Sequence, residues 1–465
     1  MSAKVTKALA HAAQNLGATL DALRELAKIP SVSAEPPPNA ELARSAAEVA
    51  AWMKRIGLER VEVLEVPGAH PYVYGEWLHA QGAPTLLLYA HHDVQPPGRP
   101  THWKTPAFEP TERDGRLYGR GVVDDKAGAA IHFAAIDAYL QQGGLPVNVK
   151  LVIDGEEEIG SEHLGEFLAT YRERLSADCI VLTDTANLAA GLPSVTYALR
   201  GIVIVDVEVA GLDHPLHSGM WGGPIPDPVM AMCKLLAGLV DEHGKLAIPG
   251  ICDRVRPLTP SDRERLARLP YEEAAFRKDA GLLDGVAIAG EPGFNTYELN
   301  WHRPSLTISA LEAAPMKGAS NQIVNSARAR IGVRTVPDMD GREVAALLSR
   351  HLETSAPWGM RVTAKVHSVG GWWSTTPGGP AFEACERALK SGFGVDSVYI
   401  GCGGSIPFVE PFARVLGGVP ALLVGLEDPI CNAHSENESL LLSDFDKAIK
   451  SAIHLYDELS RLPRG

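Results

Sequence analysis

Four short apolar runs, Thr85 to Tyr89, Val149 to Ile153, Ile180 to Thr183 and Ala421 to Val424, alternate in this chain with stretches of helical period. A carboxylate or a histidine follows each run within a few residues. Runs this short, with no alternating polar face, read as strands buried on both sides of a sheet. Gly128 to Leu140, between two of them, supplies the helix that a parallel crossover needs. Upstream, Thr6 to Lys28 and Glu41 to Arg55 repeat apolar residues at three- and four-residue steps, as in Leu16, Leu20 and Leu23, which predicts two packed helices. The predicted class is α/β, a mixed or parallel sheet flanked by helices. Open sheets of this kind hold ligands at the C-terminal edge of their strands, and that is where these acids and histidines fall.

The middle of the chain reads differently. Ser194 to Val209, Leu306 to Leu311 and Ala327 to Val336 have the pattern of longer strands, and Pro228 to Glu242 and Gly341 to Ser355 that of amphipathic helices. Between Val255 and Gly293 charge density rises and periodicity fades, which predicts an irregular excursion. Because the run at Ala421 resumes the earlier style, the expected organisation is a discontinuous large domain, 1–195 and 373–465, with an α+β insert at 196–372. No repeat of fixed period is visible.

Composition narrows the function classes. Lys and Arg number 43 against 57 Asp and Glu, a net charge of −14 over 465 residues, which argues against nucleic acid and anionic membranes as partners. No apolar stretch has the length of a membrane span, and Lys4, Lys7 and His11 interrupt the start, so a cytoplasmic protein is expected. The six cysteines are scattered, with no CxxC pair, and are expected to be reduced.

The chemistry lies in five segments. Ala90-His91-His92-Asp93 offers an imidazole with a carboxylate two residues on, a spacing that lets the acid hold the ring's other N–H while the ring binds metal. Asp124-Asp125 opens a predicted helix, where either N-capping or cation binding would suit it. Glu156-Glu157-Glu158 directly follows an apolar strand, an unusual place for a solvated charge run; if one member binds metal, its neighbour is free to act as general base. Asp184 is a fourth carboxylate at the same edge, or simply a turn residue, and Ala433-His434-Ser435-Glu436-Asn437-Glu438 brings a second histidine after the returning strand. Two histidines and at least three carboxylates are the ligand mix of a paired zinc, manganese or cobalt hydrolase site. Cys402 and Cys431 lack the adjacent histidine that a thiol nucleophile requires, and Trp372 and Trp373 read as packing.

This ordered set of motifs resembles the M20 metallopeptidases, the co-catalytic zinc aminoacylase and dipeptidase group, and is most similar to its cytosolic dipeptidase branch. The similarity runs along nearly the whole chain. It implies a zinc-exopeptidase-like catalytic domain and an inserted lid and dimerisation domain. It also implies two divalent ions per subunit, zinc first with manganese or cobalt also compatible, held by His91, Asp124, Glu158, Asp184 and His434. Asp124 would bridge the ions, the Asp124-Asp125 peptide is commonly cis in relatives, Asp93 would orient His91, and Glu157 would be the general base. In the insert, Asp213-His214-Pro215-Leu216-His217-Ser218-Gly219 resembles a D-x-x-H-S-G segment whose histidine, here His217, reaches the partner subunit's site and stabilises the oxyanion. Asn321, Arg334, Gly404 and Ser405 match substrate contacts, with Arg334 and the Gly403-Gly404-Ser405-Ile406-Pro407 loop directed at a carboxylate. The sequence departs from the family pattern at Asp227, Val324, Gly401 and Cys402.

The expected function is hydrolysis of short peptides, foremost dipeptides, by a homodimer. An N-acyl or N-carbamoyl amino-acid hydrolase would use the same centre. A non-catalytic metal-binding scaffold is the rival from another class, and it predicts decay of the base or of a ligand, whereas all six are present.

Overall fold

The apolar runs become neighbouring strands. In the computed structural model, which describes residues 2–462, Asn148–Asp154, Thr85–His91, Cys179–Leu182 and Ala421–Val424 lie side by side and parallel. Tyr72–Trp77 and then Glu59–Leu64 extend the sheet antiparallel beyond Asn148–Asp154, and Ser194–Leu199 pairs antiparallel with Ala421–Val424. Both faces are covered, as the unbroken apolar runs require. Helix Lys126–Leu140 is buried nearly all round and packs against Ala3–Ala27 and Leu442–Leu459. Leu86, Leu88, Val149, Leu151, Ile153, Val181 and Leu422 share one core with Phe133, Ile136 and Tyr456. The two N-terminal helices, Ala3–Ala27 and Ala40–Arg55, start where Ser2 and Asn39 side chains accept free backbone N–H groups.

The chain separates into two compact units, one of residues 2–197, 376–400 and 406–462, the other of 198–375 with 401–405. The second unit is a four-stranded antiparallel sheet in the order Ser305–Glu312, Ser326–Thr335, Gly201–Ala210, Arg361–Gly370. One face, with Val203, Val205, Val207, Ala329, Ile331 and Val333, packs on helices Pro228–Ala237 and Gly341–Thr354 through Met232, Leu235, Leu348 and Leu352. The other face pairs Arg330 with Asp206 and Arg328 with Glu208, both at 2.6 Å. Among the described residues no helix is long and apolar enough to cross a membrane.

Two expectations need correction. Ser194 to Val209 is two strands, Ser194–Leu199 and Gly201–Ala210, because the chain leaves the large sheet at Arg200. The excursion at 255–293 is partly helical, with Pro260–Ala267 and Glu273–Asp279, the first closed by a capping box between Thr259 and Asp262. Just past the break at Arg200 the backbone is tightly enclosed: a Cβ on Gly201 would stand 2.4 Å from Thr335 Oγ1 and 2.7 Å from the Gly370 carbonyl oxygen. Gly201→Ala is therefore expected to destabilise the insert by about 1–3 kcal/mol, seen as a lower urea midpoint; an unchanged midpoint would show that Thr335 and the Gly370 backbone yield to the added methyl.

Candidate metal centre

The four parallel strands deliver their C-terminal ends to one edge, and the residues just beyond them converge. His91 is the last residue of its strand, opposite Asp154. Asp93, fully buried, faces His91 Nδ1 at 3.3 Å, which leaves Nε2 for the interior of the site. Asp93 also accepts the Ser33 hydroxyl at 2.6 Å and the backbone N–H groups of Glu157 (3.2 Å) and Glu158 (3.0 Å). It thus holds both the histidine and the acidic loop, a second task that its spacing from His91 did not reveal.

Asp124 sits between the two histidines. Its Oδ1 is 2.9 Å from His91 Nε2 and its Oδ2 is 3.0 Å from His434 Nε2. His434 Nε2 also meets Glu158 Oε2 at 3.0 Å, and His91 Nε2 meets Asp184 Oδ1 at 3.7 Å. Potential ligand atoms within 4.8 Å of one another fall into three overlapping sets: His91, Glu157 and Asp184; His91, Asp124 and Glu158; Asp124, Asp184 and Glu427. Glu427 was not among the expected ligands, although the rule that singled out the others, an acid just past a parallel strand, applies equally to it after Ala421–Val424. The Asp124-Asp125 peptide is cis. Asp125 occupies the N-cap position of Lys126–Leu140 but its side chain caps nothing, so the capping explanation for the acid pair fails.

The neighbours of the triple acid divide the work. Glu156 is wholly buried and accepts the Tyr72 hydroxyl at 2.7 Å and the His163 backbone N–H at 2.9 Å, which anchors the loop. Gln95 donates to Glu158 from its side chain (2.8 Å) and its backbone (3.1 Å). His92, the variable position beside His91, is packed between the Ser45 hydroxyl and the Pro71 carbonyl, and burial pushes it down to about 4.

Charge is concentrated here. Burial, and then the Asp184 carboxylate, pushes Glu157 well above the usual carboxyl range; burial and Asp124 bring Glu158 up to about 7. Burial, Asp124 and Asp184 likewise raise Glu427. Burial works against a proton on His434, but its bonds to Asp124 and Glu158 outweigh that and raise it to about 11. His91 Nε2 faces oxygens of both Asp124, at 2.9 Å, and Asp184, at 3.7 Å, more acceptor capacity than one ring N–H fills. Five carboxylates around two imidazoles at this spacing fit divalent cations, which would compensate the charge that otherwise calls for protons.

Within the second unit, two groups of the expected residues come together. Leu216–His217 pairs with Gln322–Ile323, and Ser218 N–H donates to the Asn321 carbonyl at 2.9 Å, which brings His217 and Asn321 together with both exposed. Arg334 donates to Ser405 Oγ at 2.9 Å, and that hydroxyl donates to the Arg200 carbonyl at 2.5 Å. Arg200 was not anticipated; its guanidinium bonds the Gly403 carbonyl at 2.8 Å and its N–H the Gly404 carbonyl at 3.1 Å, which fixes the loop carrying Ser405. Unlike Arg328 and Arg330, Arg334 has no ion pair among the described residues, and burial lowers its pKa. Neither cysteine near the motifs is placed as a nucleophile: Cys402 Sγ accepts the Gly404 N–H at 3.3 Å, and burial pushes the Cys431 thiol well up.

Residues 87–458 match Peptidase family M20/M25/M40. The chain is 34% identical over 360 residues to the cysteinylglycine-S-conjugate dipeptidase of Corynebacterium striatum, covering 77% of each chain. It is 31% identical over 404 residues to the Cys-Gly metallodipeptidase dug1 of Schizosaccharomyces pombe, covering 85% of this chain and 84% of that one. Among solved structures it is similar to the dipeptidase Dug1p from Saccharomyces cerevisiae, with a TM-score of 0.89 and 25% identity over all of both chains. Human carnosine dipeptidase 1 gives a TM-score of 0.88 and 27% identity, covering 99% of this chain and 100% of that one.

Proposed function

The chain belongs to peptidase family M20/M25/M40, and from that premise we propose that it is a metal-dependent dipeptidase with Glu157 as its general base. The observation that carries this reading is the convergence of His91, Asp124, Glu157, Glu158, Asp184, Glu427 and His434 at one sheet edge. Similar proteins named as Cys-Gly dipeptidases support the substrate class. His91, Asp124, Glu158, Asp184 and His434 would hold two divalent ions, zinc in the first place with manganese or cobalt as substitutes, whose chemistry would be to acidify water and polarise the scissile carbonyl. Glu427 adds negative charge to the same cluster.

The residues of the chain do the rest. Glu157, whose backbone is pinned by Asp93, takes a proton from the attacking water and returns it to the leaving amine. The peptide C–N bond breaks, and an amino acid and a new carboxylate leave. Arg334, which has no ion pair among the described residues, and Ser405, on the loop that includes Gly404, receive the substrate's terminal carboxylate. In the proposed homodimer, formed through the insert at 196–372 acting as lid, His217 stabilises the oxyanion in the partner subunit's site and Asn321 contacts substrate. A cytoplasmic address belongs to the same reading.

A matched panel tests it: the dipeptide Cys-Gly, its N-acetyl and N-carbamoyl forms, and its C-terminal amide. The free dipeptide is expected to be hydrolysed and the N-blocked forms spared. Turnover restricted to the N-blocked forms would instead make the protein an amino-acid deacylase built on the same centre. For the carboxylate contact, Arg334→Met is expected to raise KM for the free dipeptide about 10–100-fold, the worth of a hydrogen bond to a charged group. It should leave the C-terminal amide unaffected; an equal effect on both substrates would refute the assignment.

A further inference from the structure

Glu438 takes no part in the reaction as proposed, yet it is wholly buried beside the centre with both carboxylate oxygens committed. Its Oε1 accepts the backbone N–H groups of Val123 (3.0 Å) and Asp124 (3.3 Å). Its Oε2 accepts the Gly121 N–H at 2.9 Å and the buried Arg120 guanidinium at 2.7 Å. Arg120 in turn donates to the carbonyl of Ser435, the residue after His434, at 3.2 Å. At the other end of the same loop, Arg116 pairs with buried Asp428 at 2.6 Å, next to Glu427. Two buried ion pairs therefore bracket the segment carrying His434, with Glu427 directly before it, and fasten it to the segment carrying Asp124.

We propose that Glu438 is a positioning residue for the metal centre. By fixing the backbone from Gly121 to Asp124 it sets where Asp124 presents one oxygen to His91 and the other to His434, and through Arg120 it holds the His434 loop in register. The assignment rests on the metallopeptidase reading above. The physical demand is specific: four donors meet two oxygens, a task for an ionised carboxylate. A glutamine in its place turns an NH2 group toward either the Val123 and Asp124 pair or the Gly121 and Arg120 pair, setting donor against donor.

The test uses the full-length protein loaded with Co²⁺, and reads its visible absorption bands, its Co²⁺ affinity, Cys-Gly turnover and thermal unfolding. For Glu438→Gln, Co²⁺ affinity and kcat are each expected to fall about 10–100-fold, with altered cobalt bands and KM nearly unchanged. Arg120→Met leaves the three backbone bonds to Glu438 in place and should shift the bands and the affinity in the same direction by less. That variant decides the matter if Glu438→Gln does not fold. Cobalt bands and affinity equal to wild type in the folded variant would overturn the proposal, reducing Glu438 to a structural buried charge. A wild-type protein that binds no Co²⁺ or cleaves no dipeptide would overturn the metallopeptidase reading itself, so the two failures are distinguishable.

Discussion

Replacing Glu157 with glutamine is expected to lower kcat for Cys-Gly by about 10²–10⁴-fold, the range for loss of a positioned general base, while metal still binds. The expectation follows from the division of labour in the loop. Glu158 lies 3.0 Å from His434 and is held by Gln95, and Glu156 is consumed by Tyr72 and His163. Glu157 alone of the three has its side chain uncommitted to such anchors while standing in a potential ligand group with His91 and Asp184. Burial and the Asp184 carboxylate raise its pKa, and divalent cations beside it would lower it again, as a proton acceptor requires. Metal content is measured on the same samples. A variant that keeps its metal and its full turnover would remove Glu157 from the reaction, and one that loses metal together with turnover would make it a ligand instead of the base.

Asp124→Asn is expected to produce the other large effect, loss of metal and of turnover together. Asp124 faces both histidines, at 2.9 Å and 3.0 Å, so an amide there leaves one oxygen for two positions. The loss in metal affinity should exceed the roughly 10–100-fold cost of removing a group that only orients a ligand. Because metal binds the folded state, adding zinc to the wild type should raise its unfolding temperature, and the variant should show little of that rise. A variant that retains two ions and near-normal turnover would show that Asp124 does not bridge.

Much of this was legible because burial and chemistry leave opposite marks on a sequence. A parallel strand covered on both faces is an unbroken apolar run, so the acids and histidines that end such runs stand out: His91 after Thr85 to Tyr89, the triple acid after Val149 to Ile153, Asp184 after Ile180 to Thr183. What escaped reading depends on contacts distant in sequence. Ser194 to Val209 carries strand-forming residues throughout, and the break at Arg200 shows only in the pairing, since Ser194–Leu199 joins Ala421–Val424 whereas Gly201–Ala210 joins Ser326–Thr335. Arg200, at that break, gains its role from the loop at Gly403 and Gly404, some two hundred residues away in the chain. Glu438 was visible merely as one acid among several after His434, since its donors come from Arg120, Gly121, Val123 and Asp124. The helix Pro260–Ala267 was missed for a local reason: its capping box was present in the sequence, but its exposed, charged surface gave no apolar period to follow.

The most direct test of the central claim is titration of metal-stripped protein with zinc, and separately with manganese, while hydrolysis of Cys-Gly is followed. The account predicts no turnover in the stripped protein and a rise that reaches its plateau at two ions per chain. Full turnover without metal, or a plateau at one ion that a second does not change, would contradict it.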